Sequence, residues 1–245
     1  MKFGYLMPLS ALLISLSATA AQPAPFTPQQ EQRIRELIHE TLVKNPAILA
    51  EAADAMDRQA ETQRNAELTQ FIAKNQHSLF NDPDSPRLGA AKPRLTIVSF
   101  TDYNCPYCKQ FDPVLEKVVS RYPDVALVIK LLPFRSESSL SSARLALTQW
   151  RQDKKPFWEL HRLLMMKKGY HDDASIQRAA AKAGVTHTQS DAHSMETIKE
   201  NLRLADGLGV QGTPATLIGN NMVPGAISEQ ALNDAIRQAL AAEKS

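Results

Sequence analysis

A chain of 245 residues with 43% hydrophobic and 22% charged residues can bury a full-sized core, which excludes disorder as its main state. Its 28 Lys and Arg against 26 Asp and Glu leave a formal charge of +2, too weak a field to gather nucleic acid or an anionic membrane, so no nucleic-acid partner is expected. Two cysteines are far too few for a disulfide-stapled scaffold.

Residues 1–20 read as a signal peptide. Lys2 gives the positive start, Tyr5 to Leu16 an apolar run broken by Pro8 and Ser10, and Ala18-Thr19-Ala20 a small-x-small cleavage site. The run is shorter than the roughly 20 apolar residues of a spanning helix, and no Cys follows it to carry a lipid. The expectation is export to the periplasm with cleavage after Ala20, into an oxidising compartment where thiols can cycle through disulfides.

In the mature chain, Thr27-Pro28 supplies an N-cap followed by proline, predicting a helix whose apolar stripe is Ile34, Leu37, Ile38 and Leu42. Asn45-Pro46 repeats that signal, and the second helix is expected to reach about Asn75. It begins with Ile48, Leu49, Ala52, Ala53 and Met56, then fades into Gln59, Gln63, Ala66 and Gln70. Residues 21–75 therefore read as an N-terminal helical stalk, and the turn-rich stretch 76–92 as a linker.

From residue 93 to 245 the pattern is that of one α/β domain. Leu95 to Phe100 is a short buried strand. A helix follows from Pro106, kinked at Pro113, and then a strand over Val125 to Leu132, giving β-α-β. Residues 136–206 are helical, with Gly169 and Gly184 as stops. Strand character returns at Pro214 to Ile218 and Met222-Val223, with Asn220-Asn221 as the turn between them, and Ser228 caps a final helix.

Cys105-Pro106-Tyr107-Cys108 falls where the first strand gives way to a helix. Residues three apart on a helix share a face, so the two sulfurs can form a disulfide with little strain. The helix N-terminus favours a thiolate at the first position. Cys105 is expected to be an exposed nucleophile and Cys108 the resolving thiol. A purely structural disulfide, a zinc site and a Cu(I) site are the rivals. The first closes a loop too short to remove much unfolded-state entropy, and the six His show no paired ligand spacing for the second. Two soft thiolates do suit Cu(I). Gly212-Thr213-Pro214 ahead of a strand makes Thr213–Pro214 a candidate cis peptide.

Strand, C-P-Y-C, kinked helix, helical insertion and a late Gly-Thr-Pro resemble the DsbA-like branch of the thioredoxin fold over nearly the whole mature chain. The resemblance implies that Cys105 and Cys108 are the redox pair, that Pro214 is cis and packs on the sulfurs, and that Thr213 offers its backbone to substrate. Pro106-Tyr107 stands where the strong oxidases of the family have Pro-His, so no imidazolium supports the Cys105 thiolate and a weaker oxidant is expected. Thr213 resembles the residue of disulfide isomerases rather than the Val of oxidases. The two N-terminal helices resemble the extra segment of the trimeric suppressor-of-copper-sensitivity proteins of the ScsC type and their BcfH relatives.

The resulting expectation is an exported protein disulfide isomerase with some dithiol oxidase activity. Its partners are protein substrates with cysteines or disulfides, further copies of itself (a trimer by resemblance) and an inner-membrane redox partner; no cofactor or metal is called for. The alternatives are a monomeric DsbA-like oxidase, and a chaperone or copper-binding protein using the same cysteines. Trp150 and Trp158 are expected in packing roles, and Tyr107 either at the substrate surface or shielding Cys108.

Overall fold

A computed structural model describes residues 26–242; the signal peptide expected at 1–20 lies outside them. Helix α1 (Pro28–Lys44) starts on a capping box in which the Thr27 side chain accepts from the Gln30 N–H and Gln30 bonds back. It contains no buried residue. Helix α2 runs from Ala47 to Lys74 and α3 from Gln76 to Phe80. The chain divides into two compact units between Gln59 and Ala60, within α2.

In the first unit the apolar stripe is left open, with Ile34, Leu37, Ile38, Leu49 and Met56 all exposed. The second unit begins earlier than the turn-rich stretch 76–92 suggests. Ile72 and Leu79 are buried in a cluster with Val98, Phe100, Leu132, Leu204 and Leu217, and Leu68, Phe71 and Phe80 pack against it. The stripe fades through Gln59 and Gln63, and apolar residues resume with Leu68, Phe71 and Ile72 on either side of Gln70.

Strand β1 (Arg87–Gly89), unanticipated from the sequence because it is only three residues long, pairs antiparallel with β3. Strand β2 (Leu95–Thr101), helix α4 (Pro106–Val119) and strand β3 (Val125–Leu131) form the crossover unit, β2 and β3 running parallel. Helices α5 (Glu137–Gln152), α6 (Lys154–Met166), α7 (Asp173–Lys182) and α8 (His193–Gly207) make up the insertion. Strands β4 (Ala215–Ile218) and β5 (Asn221–Pro224) form the closing hairpin, followed by α9 (Glu229–Ala242). The hairpin turns at Gly219-Asn220, one residue before the expected Asn220-Asn221, because Gly219 adopts the positive φ of +60° that the turn needs.

The sheet order is β1-β3-β2-β4-β5. The central strands are apolar on both faces, as strands sandwiched between helices must be. Leu95 and Ile97 of β2 and Val125, Leu127, Ile129 and Leu131 of β3 join the larger cluster with Phe111 and Leu115 of α4 and with the insertion. Val98, Phe100 and Val128 face the cluster that takes up the end of α2. Trp150 is buried edge-on to Phe157 and Trp158, its indole N–H donating to the Pro83 carbonyl at 2.9 Å. No helix among the described residues is long and apolar enough to cross a membrane.

Candidate active site

The carboxyl end of β2 delivers Asp102, Tyr103 and Asn104 to the start of α4. Cys105 is the N-cap, in extended conformation, and its Sγ accepts from the Cys108 N–H at 3.4 Å. The Cys105 thiol also donates to the Thr213 carbonyl at 3.1 Å. The Thr213–Pro214 peptide is cis. Both cysteines are free thiols.

These contacts have opposite effects on the two sulfurs. The Cys108 thiol, and then its backbone N–H, the Thr213 hydroxyl and the Tyr107 N–H, stabilise negative charge on Cys105 and outweigh its desolvation, holding its pKa down at about 5. Cys108 is pushed far up, first by burial and then by giving its hydrogen bond to Cys105; Thr101, the Asp102 backbone and Thr213 only partly offset this. The arrangement can thus carry one thiolate and one protonated thiol side by side, without an imidazolium in the dipeptide.

Cys105 was expected at the surface, and here the structure corrects the sequence reading: Cys105 has no accessible area and Cys108 only 1%. The N-cap position turns Sγ inward beneath the Thr213 carbonyl, an orientation that the helix alone does not dictate. Tyr107 is 62% exposed, so it stands at the surface and not over Cys108. Pro106 is likewise exposed and Pro214 is buried.

Residues not singled out from the sequence fix this geometry. Asp102 accepts from the Asn104 N–H at 2.7 Å, the Ser139 hydroxyl at 2.7 Å and the Arg135 N–H at 3.0 Å. The buried Asn104 amide donates to Ser136 and Ser138 at 2.8 and 2.9 Å, and its oxygen accepts from the His171 N–H at 2.7 Å. The residue before Cys105 thereby ties the N-terminus of α5 and the loop ahead of α7 to the cysteine turn. The only sequence signal was a run of polar residues around 136–139, which reads equally well as a surface cap.

Further along α4, Asp112, Glu116 and the buried His161 bring ligand-type atoms within 4.8 Å of one another. Both His161 nitrogens are engaged, at 2.9 Å by the Tyr103 hydroxyl and at 3.0 Å by Asp112, and Glu116 pairs with Arg162 at 3.1 Å. The cluster serves as an internal polar tie between α4 and α6. The two cysteines are the soft donors close enough to share an ion.

A thioredoxin-type sheet with a helical insertion, a Cys-x-x-Cys helix cap and a cis-proline facing it define a thiol-disulfide exchange protein. Residues 96–237 match the DsbA-like thioredoxin domain, and the chain belongs to that family. It is 56% identical to a periplasmic thioredoxin-like protein from Salmonella enterica serovar Typhimurium, over 68% of this chain and 95% of that one, with a TM-score of 0.66. It is 43% identical to Proteus mirabilis ScsC in a compact conformation, over 87% of this chain and all of that one, with a TM-score of 0.70. Salmonella enterica Typhimurium BcfH, 22% identical with a TM-score of 0.68, shares the fold. Among curated sequences, the chain spans only 26% of the length of the Salinispora arenicola Na(+)/H(+) antiporter NhaA 1, at 25% identity over 65% of its own residues. Membership places the chain in the DsbA-like thioredoxin family, with ScsC among its similar structures.

Proposed function

We propose that this oxidoreductase works in the periplasm chiefly as a protein disulfide isomerase, with a lesser capacity to oxidise dithiols, and that it assembles through α1 and the first turns of α2. The observation that carries the isomerase reading is the place of Thr213, the residue that resembles disulfide isomerases, ahead of the cis-proline with its carbonyl 3.1 Å from the Cys105 sulfur. In isomerisation the Cys105 thiolate attacks a substrate disulfide, forming a mixed disulfide and releasing one substrate thiolate. A substrate thiolate then attacks either a second substrate disulfide or the mixed disulfide, which returns Cys105 as thiolate with no net change in oxidation state. Cys108 attacks the mixed disulfide when the substrate stalls, releasing it reduced and leaving a Cys105–Cys108 disulfide for an inner-membrane reductant to reopen. Oxidation of a dithiol runs these last exchanges in reverse from that disulfide. Because Cys105 is covered, the surface over it must open for an incoming sulfur, and the Thr213 backbone beside it is placed to meet the arriving strand.

Assembly rests on the open stripe of α1. Ile38 of α1 is 53% and Leu49 of α2 55% exposed, and exposed apolar residues at helical spacing favour association with copies of the same segment. The resemblance of the two N-terminal helices to the extra segment of the ScsC type makes the proposed assembly a trimer. Several cysteine pairs facing one substrate would hold it through repeated attacks.

The deciding experiment is reactivation of a scrambled multi-disulfide protein in a glutathione buffer, with dithiol oxidation measured alongside and a copper chelator present. Recovery of activity is expected. Oxidation without recovery points to a DsbA-like oxidase, and no turnover of either kind to a binding role for the cysteines.

A further inference from the structure

A groove of about 500 Å³ opens beside the cysteine turn, between the start of α4 and the loop that leaves α6. Asn104 and Pro106, the neighbours of Cys105 in the chain, form one wall. Met166, 76% exposed, and Tyr170, 50% exposed, provide an apolar surface on the other. Four cations, Lys109, Arg135, Lys167 and Lys168, surround it, and no carboxylate lines it.

Three of these cations, Lys109, Lys167 and Arg135, are held by neutral acceptors, which fix their positions without forming an ion pair. The Lys109 ammonium donates to the Lys167 and Gly169 carbonyls at 2.6 and 2.7 Å. Lys167 donates to the carbonyls of Lys168 and Tyr170, and Arg135 bonds the Tyr170 hydroxyl. Lys168 makes no side-chain ion pair or hydrogen bond among the described residues. Burial first and then the Lys167 charge depress the Lys109 pKa, with the charges of Asp102 and Cys105 opposing them. Lys109 and Arg135 both feel the charge on Cys105, which places the groove within electrostatic reach of the reacting sulfur. This concentration of charge is local, since the chain as a whole carries only +2.

We propose that this groove binds an acidic, extended polypeptide segment next to the reacting cysteine, and so selects substrates whose cysteines are flanked by Asp or Glu together with an apolar side chain. The apolar residue rests on Met166 and Tyr170 while the carboxylates meet the cationic rim, arrangements that raise encounter rates and reject basic sequences. The inference rests on the oxidoreductase reading of the same site and names its substrate class.

The test uses the full-length protein, oxidised with glutathione disulfide, and three dithiol peptides identical except for acidic, neutral or basic flanks. The acidic peptide should be turned over about tenfold faster in kcat/KM than the basic one at low ionic strength, and the ratio should shrink as salt screens the rim. Lys168→Gln should lower the ratio about twofold and Lys168→Glu about fivefold. Because the ratio is taken within each variant, a general loss of folded protein cancels. Serine-for-cysteine versions of the peptides give a binding readout that needs no chemistry. Equal rates and equal binding for all flanks, or a ratio that neither substitution moves, would overturn the proposal. Charge-selective binding without turnover would uphold the groove and overturn the oxidoreductase reading, so the two failures are distinct.

Discussion

The Thr213 carbonyl lies 3.1 Å from the Cys105 sulfur, a contact between residues 108 positions apart in sequence. It brings the loop before β4 over the N-cap of α4, covers the sulfur and places the Thr213 hydroxyl within reach of both thiols. The chemistry expected of the pair depends on this contact.

Alkylation of the reduced protein should show one reactive thiol, with a rate that rises through pH 5, the value to which Cys105 is lowered. Cys105→Ser should abolish that reaction and all exchange, while Cys108→Ser should accumulate mixed disulfides with substrate. An alkylation midpoint near the ordinary thiol value of about 8.5 would remove the case for a preformed thiolate.

The same depressed pKa makes the stability of the reduced form depend on pH. A thiol whose folded pKa lies below its unfolded value of about 8.5 contributes stability fully present above that value and lost as pH falls through the folded pKa. Chemical denaturation of the reduced protein should therefore show its stability margin over Cys105→Ser growing from about pH 5 to pH 8.5. A margin independent of pH over this interval would contradict the assignment.

Thr213→Val removes a hydroxyl that lowers both thiol pKa values. The alkylation midpoint of Cys105 should move up, and reactivation of scrambled substrate should fall relative to dithiol oxidation. If midpoint and ratio both stay where they are, the hydroxyl has no part in setting the activity.

Asn104→Ala deletes the amide that joins the cysteine turn to the half-buried Ser136 and Ser138 and to the His171 backbone N–H, leaving that buried N–H without its partner. The expected cost in a urea melt is about 2–4 kcal/mol. Hydrogen exchange should report the loosening at residues 136–139, ahead of any change in the sheet.

Lys130, fully buried on β3, donates to Asp82 at 3.0 Å and to Ser85 at 2.7 Å. Burial raises the Asp82 pKa, but the Lys130 charge and the hydrogen bonds of Ser85 and the Asp84 N–H overcome it and leave it lowered. Asp82→Asn strands the lysine and should cost about 3–5 kcal/mol. Lys130→Met should cost less, because Asp82 keeps its other hydrogen bonds and some contact with water. Equal losses would mean that the pair is not the dominant interaction there.

Removing residues up to Gln59 should give a chain that remains folded and oxidises dithiols, sediments as a monomer and loses most isomerisation. Removing residues up to Asn75 should instead destabilise the catalytic unit, because Ile72 and Phe71 leave and Val98, Phe100 and Leu217 lose their cover. Phe71 lies so close to Gly207 that a Cβ there would meet its ring at 2.1 Å, so Gly207→Ala should reproduce part of this loss in the intact chain.

Much of the fold is written locally. Thr27-Pro28 fixes a helix start, Leu95 to Thr101 and Val125 to Leu131 have the apolar continuity of strands buried on both faces, and a Cys-x-x-Cys opening a helix puts two sulfurs on one face whatever surrounds them. These follow from side-chain period, capping and the preferences of proline, which act over a few residues. Three features were decided only by packing across long stretches of chain: the burial of Cys105 beneath Thr213, the clamp of Asn104 on Ser136 and His171, and the inclusion of the last turns of α2 in the catalytic core. The first two rest on partners 108 positions away for Cys105 and 32 or more for Asn104, and no local period encodes which distant group a buried sulfur or amide will meet. The sequence by itself therefore determined the Cys-x-x-Cys pair and the elements that carry it; the tertiary structure decided how the sulfur is covered and charged, because those depend on desolvation and on hydrogen bonds that exist only once the loops close over the helix.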